Sequence, residues 1–209
     1  MTLREKKAAR IKLSILHHTL EQVGTGSFSQ LYVDHICSVV GISKVTFFKY
    51  FPKKEDVLMY YLRIWCFRIC VELNAQNRDG VEGIYYIFNK MSQECDKYPG
   101  LVLSLVGHLA DKGRKPRPIP VKPAERRLLY PDIEDLSGIE ILSLDQMFER
   151  FVLEAIFKKQ ITKNSNTKEL THLLVAVLFG SIITSQMQNF TPVKLLFKRN
   201  AETIICSLS

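Results

Sequence analysis

Apolar residues return at helical spacing along almost the whole chain, and few stretches alternate with period two. That rhythm commits the backbone to helices, because a strand that buries one face needs period two. Leu13, Leu16 and Leu20 share one side of a first helix over about 3–23, and Gly24 with Gly26 supplies the stop that a helix C-terminus favours. Two short helices follow, over about 32–40 and 44–50, with a turn at residues 41–43 between them. Pro52 breaks the second and stands where proline is tolerated, at the entrance of the next helix. That helix, over about 53–77, carries Val57, Leu58, Tyr61, Leu62, Trp65, Ile69 and Leu73. Apolar residues cover too much of its circumference for one-sided burial, so it reads as a rod connecting two regions. Further helices are expected over about 81–97, 101–112, 137–159, 167–189 and 192–207. The fold class is all-α.

Between residues 113 and 135 the rhythm stops. Prolines at 116, 118, 120, 123 and 131 forbid an uninterrupted helix there, so a long irregular loop is expected. With 46% hydrophobic and 24% charged residues, the 209-residue chain can bury a core, which excludes wholesale disorder. Lys and Arg outnumber Asp and Glu by 29 to 21, and the net charge of +8 suits a polyanionic partner, whether nucleic acid or an acidic membrane surface. The five cysteines, at 37, 66, 70, 95 and 206, form no CxxC pair and read as reduced thiols of a cytoplasmic protein. Residues 1–14 are charged where a secretory signal needs an apolar core. The longest nearly pure apolar runs, 101–109 and 173–183, fall short of the roughly 20 residues that span a bilayer, so no membrane attachment is expected. No Ser-His-Asp set, paired carboxylates or glycine-rich phosphate loop is evident, so neither enzyme activity nor a cofactor or metal is expected. Cys66 and Cys70, four apart, read as small buried hydrophobes, and adjacent His17 and His18 point in two directions from one helix.

The chemistry concentrates in residues 31–51. Ile36 and Val40 fall four apart on one face of a short helix, with Cys37 beside them. Gly41 permits a sharp turn through a positive φ, Ile42 plugs it, and Ser43 is placed to cap the next helix. Phe47 and Phe51 form that helix's buried face, which leaves Lys44, Val45, Thr46, Phe48, Lys49 and Tyr50 outward, without a carboxylate. A helix-turn-helix lays such a helix in the major groove, its N-terminal residues on base edges and other polar groups on phosphates.

With the flanking segment from Pro52 to Leu58, this block resembles the DNA-binding domain of the TetR family of bacterial transcriptional regulators. Ile36, Gly41, Ser43, Lys44, Thr46, Phe47, Tyr50, Phe51, Lys54, Glu55 and Asp56 match the family pattern, and the match ends near Leu58. Cys37 and Val40 replace the usual alanines, and Leu31 replaces the threonine that usually opens the first helix of the pair. Val45 stands where glycine is common and Phe48 where a tyrosine hydroxyl often holds a phosphate; both can instead meet thymine methyls.

The resemblance implies a three-helix DNA-binding head over 1–52, a connecting helix over 53–77 and an effector-binding and dimerisation domain over 78–209. It makes Ser43, Lys44, Val45, Thr46, Phe48, Lys49, Tyr50 and Lys54 the candidate contacts to a double-stranded operator. It implies a homodimer through the last two helices, about 167–207, where Leu170, Leu173, Leu174, Val177 and Leu178 form an apolar strip and Gly180 and Ser181 allow close approach. It also implies a small-molecule inducer, for which Tyr85, Phe88, Met91, Leu105, His108, Met147, Phe148 and Phe151 are the candidate lining; a plain core role for these residues stays open. The corresponding behaviour is a repressor released by its ligand. An alternative keeps the scaffold but assigns it to protein–protein interaction with a vestigial head, since an exposed Phe48 suits an interface equally. Arg114, Lys115, Arg117, Lys122, Arg126 and Arg127 concentrate charge in the proline-rich loop and read as solvated, with an anionic ligand or second DNA contact as alternatives.

Overall fold

The computed structural model describes residues 2–24, 26–76, 78–111, 119–161, 166–187 and 192–207. Their helices are α1 (Leu3–Val23), α2 (Val33–Val40), α3 (Lys44–Tyr50), α4 (Asp56–Ala75), α5 (Gly80–Lys97), α6 (Pro99–Ala110), α7 (Pro123–Leu129), α8 (Leu144–Phe157), α9 (Thr167–Met187) and α10 (Val193–Cys206). A single 3-10 turn over Phe28–Gln30 sits before α2, and no strand occurs among the described residues. The all-α expectation holds.

The chain forms two compact units. One unit joins Met1–Arg68 to Tyr98–Glu140, the other joins Ile69–Lys97 to Ile141–Ser209. The change of unit falls inside α4, so this helix contributes to both cores, in keeping with its broad apolar surface.

In the first unit, α1 packs on α2 and α7. Its start is fixed by a reciprocal cap in which Thr2 Oγ1 accepts from the Glu5 N–H and Glu5 Oε2 accepts from the Thr2 N–H. Ile15, Ile36, Phe47, Phe51 and Tyr60 are fully buried, and the Phe51 and Tyr60 ring centroids lie 5.5 Å apart.

Two expectations need correction here. Residues 113–135 are not wholly irregular: α7 forms with Pro123 in its first turn, where the missing N–H costs nothing, and Glu125 caps the Lys122 N–H. The helix expected over 137–159 begins only at Leu144, because Gln146 Oε1 accepts from the Ser143 N–H and hydroxyl and sets the N-terminus there. The preceding segment is held by arginines instead. Arg126 Nη1 donates to the carbonyls of Leu136 and Ile139 at 3.3 and 2.9 Å, and Arg127 donates to those of Ile133 and Glu134.

The second unit packs α8 on α5 and α9, and α10 on α5 and α9. Phe88 is its hub, with ring centroids 5.5 Å from Phe148 and 5.3 Å from Phe197. Gly83 lets the Phe151 ring lie against the backbone of α5; a methyl group there would overlap the ring. Gly83→Ala is therefore expected to cost about 1–3 kcal/mol. Urea denaturation checks this, and an unchanged midpoint would mean that Phe151 repacks freely.

Candidate nucleic-acid interface

The turn between α2 and α3 follows from one backbone conformation. Gly41 has φ 70° and ψ 40°, and an added Cβ would meet nothing within 4 Å, so the left-handed backbone rather than crowding requires glycine. The Ile42 N–H returns to the Cys37 carbonyl at 2.9 Å and closes the end of α2. Ser43 then caps α3, its Oγ accepting from the Thr46 N–H at 3.2 Å. The cap that Leu31 cannot supply is not replaced: Tyr32 holds the N-cap without a side-chain hydrogen bond, and Leu31 is buried.

Phe47 and Phe51 anchor α3 in the core, their rings 5.9 Å apart. The opposite side presents Lys44, Val45, Phe48 and Lys49 to solvent, while Thr46 and Tyr50 are half-buried. Val45 is 80% exposed. Phe48 keeps an edge-on contact with Phe47, at 5.3 Å and 78°, which fixes its ring on the surface. Of the expected contact residues, Ser43 has its oxygen engaged in the cap, and Lys54 is tied back by donating from Nζ to the Ser29 carbonyl at 3.2 Å.

One neighbour was not foreseen. Asp34, in the first turn of α2, lies 2.6 Å from Lys44 Nζ through Oδ1, and both side chains are more than half exposed. Nothing in the periodicity of residues 31–51 marks this aspartate. The signal that identifies it is geometric, because the turn at Gly41 brings the first turns of α2 and α3 together.

The same unit holds a buried ion pair. Lys12 Nζ stands 2.5 Å from Glu125 Oε1 and 4.2 Å from the centre of the Tyr60 ring. Burial pushes the Lys12 ammonium below the usual lysine range, the Glu125 carboxylate opposing that shift, and burial beside the same carboxylate raises the Tyr60 phenol. In the basic segment, half-buried Arg126 and exposed Arg127 both donate to backbone carbonyls, while Arg114, Lys115 and Arg117 lie outside the described residues.

The eight expected pocket residues do not come together within either unit. Phe88, Met91, Met147, Phe148 and Phe151 are buried on one another's elements in the second unit, with Tyr85 half-buried on α5. Leu105 and His108 belong to the first unit, where His108 borders an open cleft of about 320 Å³ with Ser27, Lys54, Glu55 and Asp111. Nor do His17 and His18 point apart: both imidazoles turn to Glu21, at 3.2 and 2.7 Å. The backbone fixes the two Cβ directions, and side-chain rotation then brings both rings to the carboxylate.

No protein-family model matches the sequence, and no curated protein matches it. Two solved structures do resemble it. FadR of Thermus thermophilus, a TetR-family transcriptional repressor in complex with lauroyl-CoA, is 18% identical, with a TM-score of 0.63 over 90% of each chain. A TetR transcriptional regulator from Rhodococcus sp. RHA1 is 13% identical, with a TM-score of 0.59 over 99% of this chain and 98% of that one. At such identities the likeness is one of fold: the chain has the all-helical fold of TetR-type regulators.

Proposed function

We propose that the protein is a sequence-specific DNA-binding transcriptional regulator, not an enzyme, that acts in the cytoplasm as a homodimer. The observation that carries this is α3: a short helix seated on Phe47 and Phe51, with Lys44, Val45, Phe48 and Lys49 outward and no carboxylate of its own, in a fold shared with two TetR-type regulators. Lys44 and Lys49 supply charge for phosphates or guanine acceptors, Thr46 and Tyr50 supply hydroxyls, and Val45 and Phe48 offer apolar surface to thymine methyls. Fluorescence anisotropy on fragments from upstream of the protein's own coding region, with random competitor and a salt series, tests this. Competitor-resistant binding that weakens steeply with salt supports a regulator. Binding to a protein partner through Val45 and Phe48, insensitive to salt and without any DNA affinity, would favour the scaffold alternative.

The homodimer finds its support in α9. Leu173, Ala176, Gly180, Ile183 and Met187 follow one another at coiled-coil spacing on the side turned away from α8 and α10, and Leu173, Ile183 and Met187 are 44%, 46% and 78% exposed. An added Cβ at Gly180 meets nothing within 4 Å, so a second helix can approach closely there. By length and composition alone α9 is also long and apolar enough to cross a membrane, with a mean hydropathy of 1.6, although the pure apolar run 173–183 is shorter than a span. Ile183→Glu is expected to convert dimer to monomer at micromolar concentration in sedimentation velocity; a persistent dimer would move the interface elsewhere.

The finer reading is a repressor released by a small molecule, supported by the acyl-CoA complex of the Thermus neighbour. A ligand acts only through its preference for the state that does not bind DNA. In this chain Phe88, Met91, Met147, Phe148 and Phe151 fill the second unit, so an acyl chain entering there must displace them. Lauroyl-CoA titrated into the protein–DNA complex provides the probe: release supports the acyl ligand, and unchanged anisotropy at saturating concentration removes it.

A further inference from the structure

A carboxylate beside a recognition helix repels DNA unless it has a partner there. Asp34 has one already in Lys44, at 2.6 Å. Lys44 is the first residue of α3, and the first residues of a recognition helix are those that reach base edges. Whatever Lys44 Nζ approaches, the Asp34 carboxylate approaches with it. The pair presents a donor and an acceptor side by side on an exposed surface, with side chains 60% and 69% exposed, so neither group is locked into the core.

The major-groove edge of a G·C pair has the complementary pattern. Guanine offers the acceptors N7 and O6, and cytosine offers the N4 amino donor next to O6; lysine suits the first and aspartate the second. An A·T pair lacks the two adjacent purine acceptors and places a methyl group beside its oxygen. On DNA without the matching pair, Asp34 meets no donor and faces phosphates instead, so it weakens non-specific binding without weakening binding to the operator.

Resting on the DNA-binding reading, we propose that Asp34 is a specificity-determining residue that, together with Lys44, reads one G·C base pair in each half of the operator. The test selects binding sites from a random-sequence duplex pool with the full-length protein and with Asp34→Ala. Wild type is expected to enrich sites with one fixed G·C pair per half-site that Asp34→Ala holds less strictly, the penalty for changing that pair falling about tenfold as the cytosine contact is lost. The variant should also bind a mixed-sequence duplex about three- to fivefold more tightly, and its salt slope should steepen by about 0.9, as one more lysine becomes free for phosphate. In the Lys44→Gln background, removing Asp34 should no longer steepen the slope.

Enrichment of the same G·C pair by Asp34→Ala as strongly as by wild type would overturn the assignment. So would a uniform loss of affinity on all sequences, which would make Asp34 a positioning residue for Lys44 alone. Failure of the wild-type protein to enrich any sequence would instead overturn the DNA-binding reading on which this one stands. Circular dichroism melting of Asp34→Ala, unchanged for so exposed a residue, separates each outcome from misfolding.

Discussion

Replacing Lys44, Thr46 and Tyr50 together by alanine is expected to lower affinity for the selected operator at least about 100-fold, since each lost base or phosphate contact costs about 1–3 kcal/mol. The fold should survive. Lys44 is exposed, Thr46 and Tyr50 are half-buried, and the residues that hold α3 in place, Phe47 and Phe51, are untouched. The Ser43 cap also survives, because its Oγ accepts from the backbone N–H of residue 46, and only the contact between the Ser43 and Thr46 hydroxyls is lost. The measurement is anisotropy at fixed salt alongside sedimentation and thermal melting. Unchanged operator binding by a folded triple variant would mean that α3 is not the recognition helix. Single variants sort the contacts: loss of Lys49 should weaken all sequences alike and reduce the salt slope by about 0.9, whereas loss of a base contact should relax one position of the site.

Glu125→Leu is expected to be the most destabilising single change in the first unit, at about 3–5 kcal/mol, because it leaves the Lys12 ammonium buried without its partner. The double variant Lys12→Met, Glu125→Leu should recover most of that loss, since an apolar pair of similar volume carries no desolvation cost. The single variant should show a distinctive pH response. Burial already lowers the Lys12 pKa in the folded protein, so the unfolded chain binds that proton more tightly. Stability of Glu125→Leu therefore rises with pH as the ammonium becomes neutral, and falls as the pH is lowered. Urea denaturation of the three proteins across alkaline pH checks both statements. Equal stability of single and double variants would show that Lys12 escapes to solvent when Glu125 is gone.

The helical rhythm and the stop signals at Gly24, Gly41 and Pro52 made the elements of the head legible, because each local rule there is also satisfied by the tertiary structure. Phe47, Phe51 and Ile36 could be assigned inward from spacing alone, and they are buried. Legibility ended where structure depends on partners distant in sequence. Five prolines hid α7, whose stability comes from Glu125 meeting Lys12 and from arginines meeting the carbonyls of residues 133–139. Apolar periodicity carries no record of such pairings. The expected pocket marks another limit: Phe88, Met91, Phe148 and Phe151 share helical spacing suited to either a lining or a core, and spacing alone does not choose between the two. Asp34 was missed because its significance lies in the distance to Lys44 across a turn, which composition and spacing do not record.

The uncovered stripe of α9 belongs to the second unit and α3 to the first. A lesion confined to α3 thus leaves the proposed pairing surface whole. In a two-fold assembly each subunit presents the same stripe to its twin. Cells that make both an intact and a recognition-defective copy should then assemble mixed pairs, in which the damaged subunit disables its healthy one. Such alleles would behave as dominant, while alleles that break the stripe, such as Ile183→Glu, would be recessive.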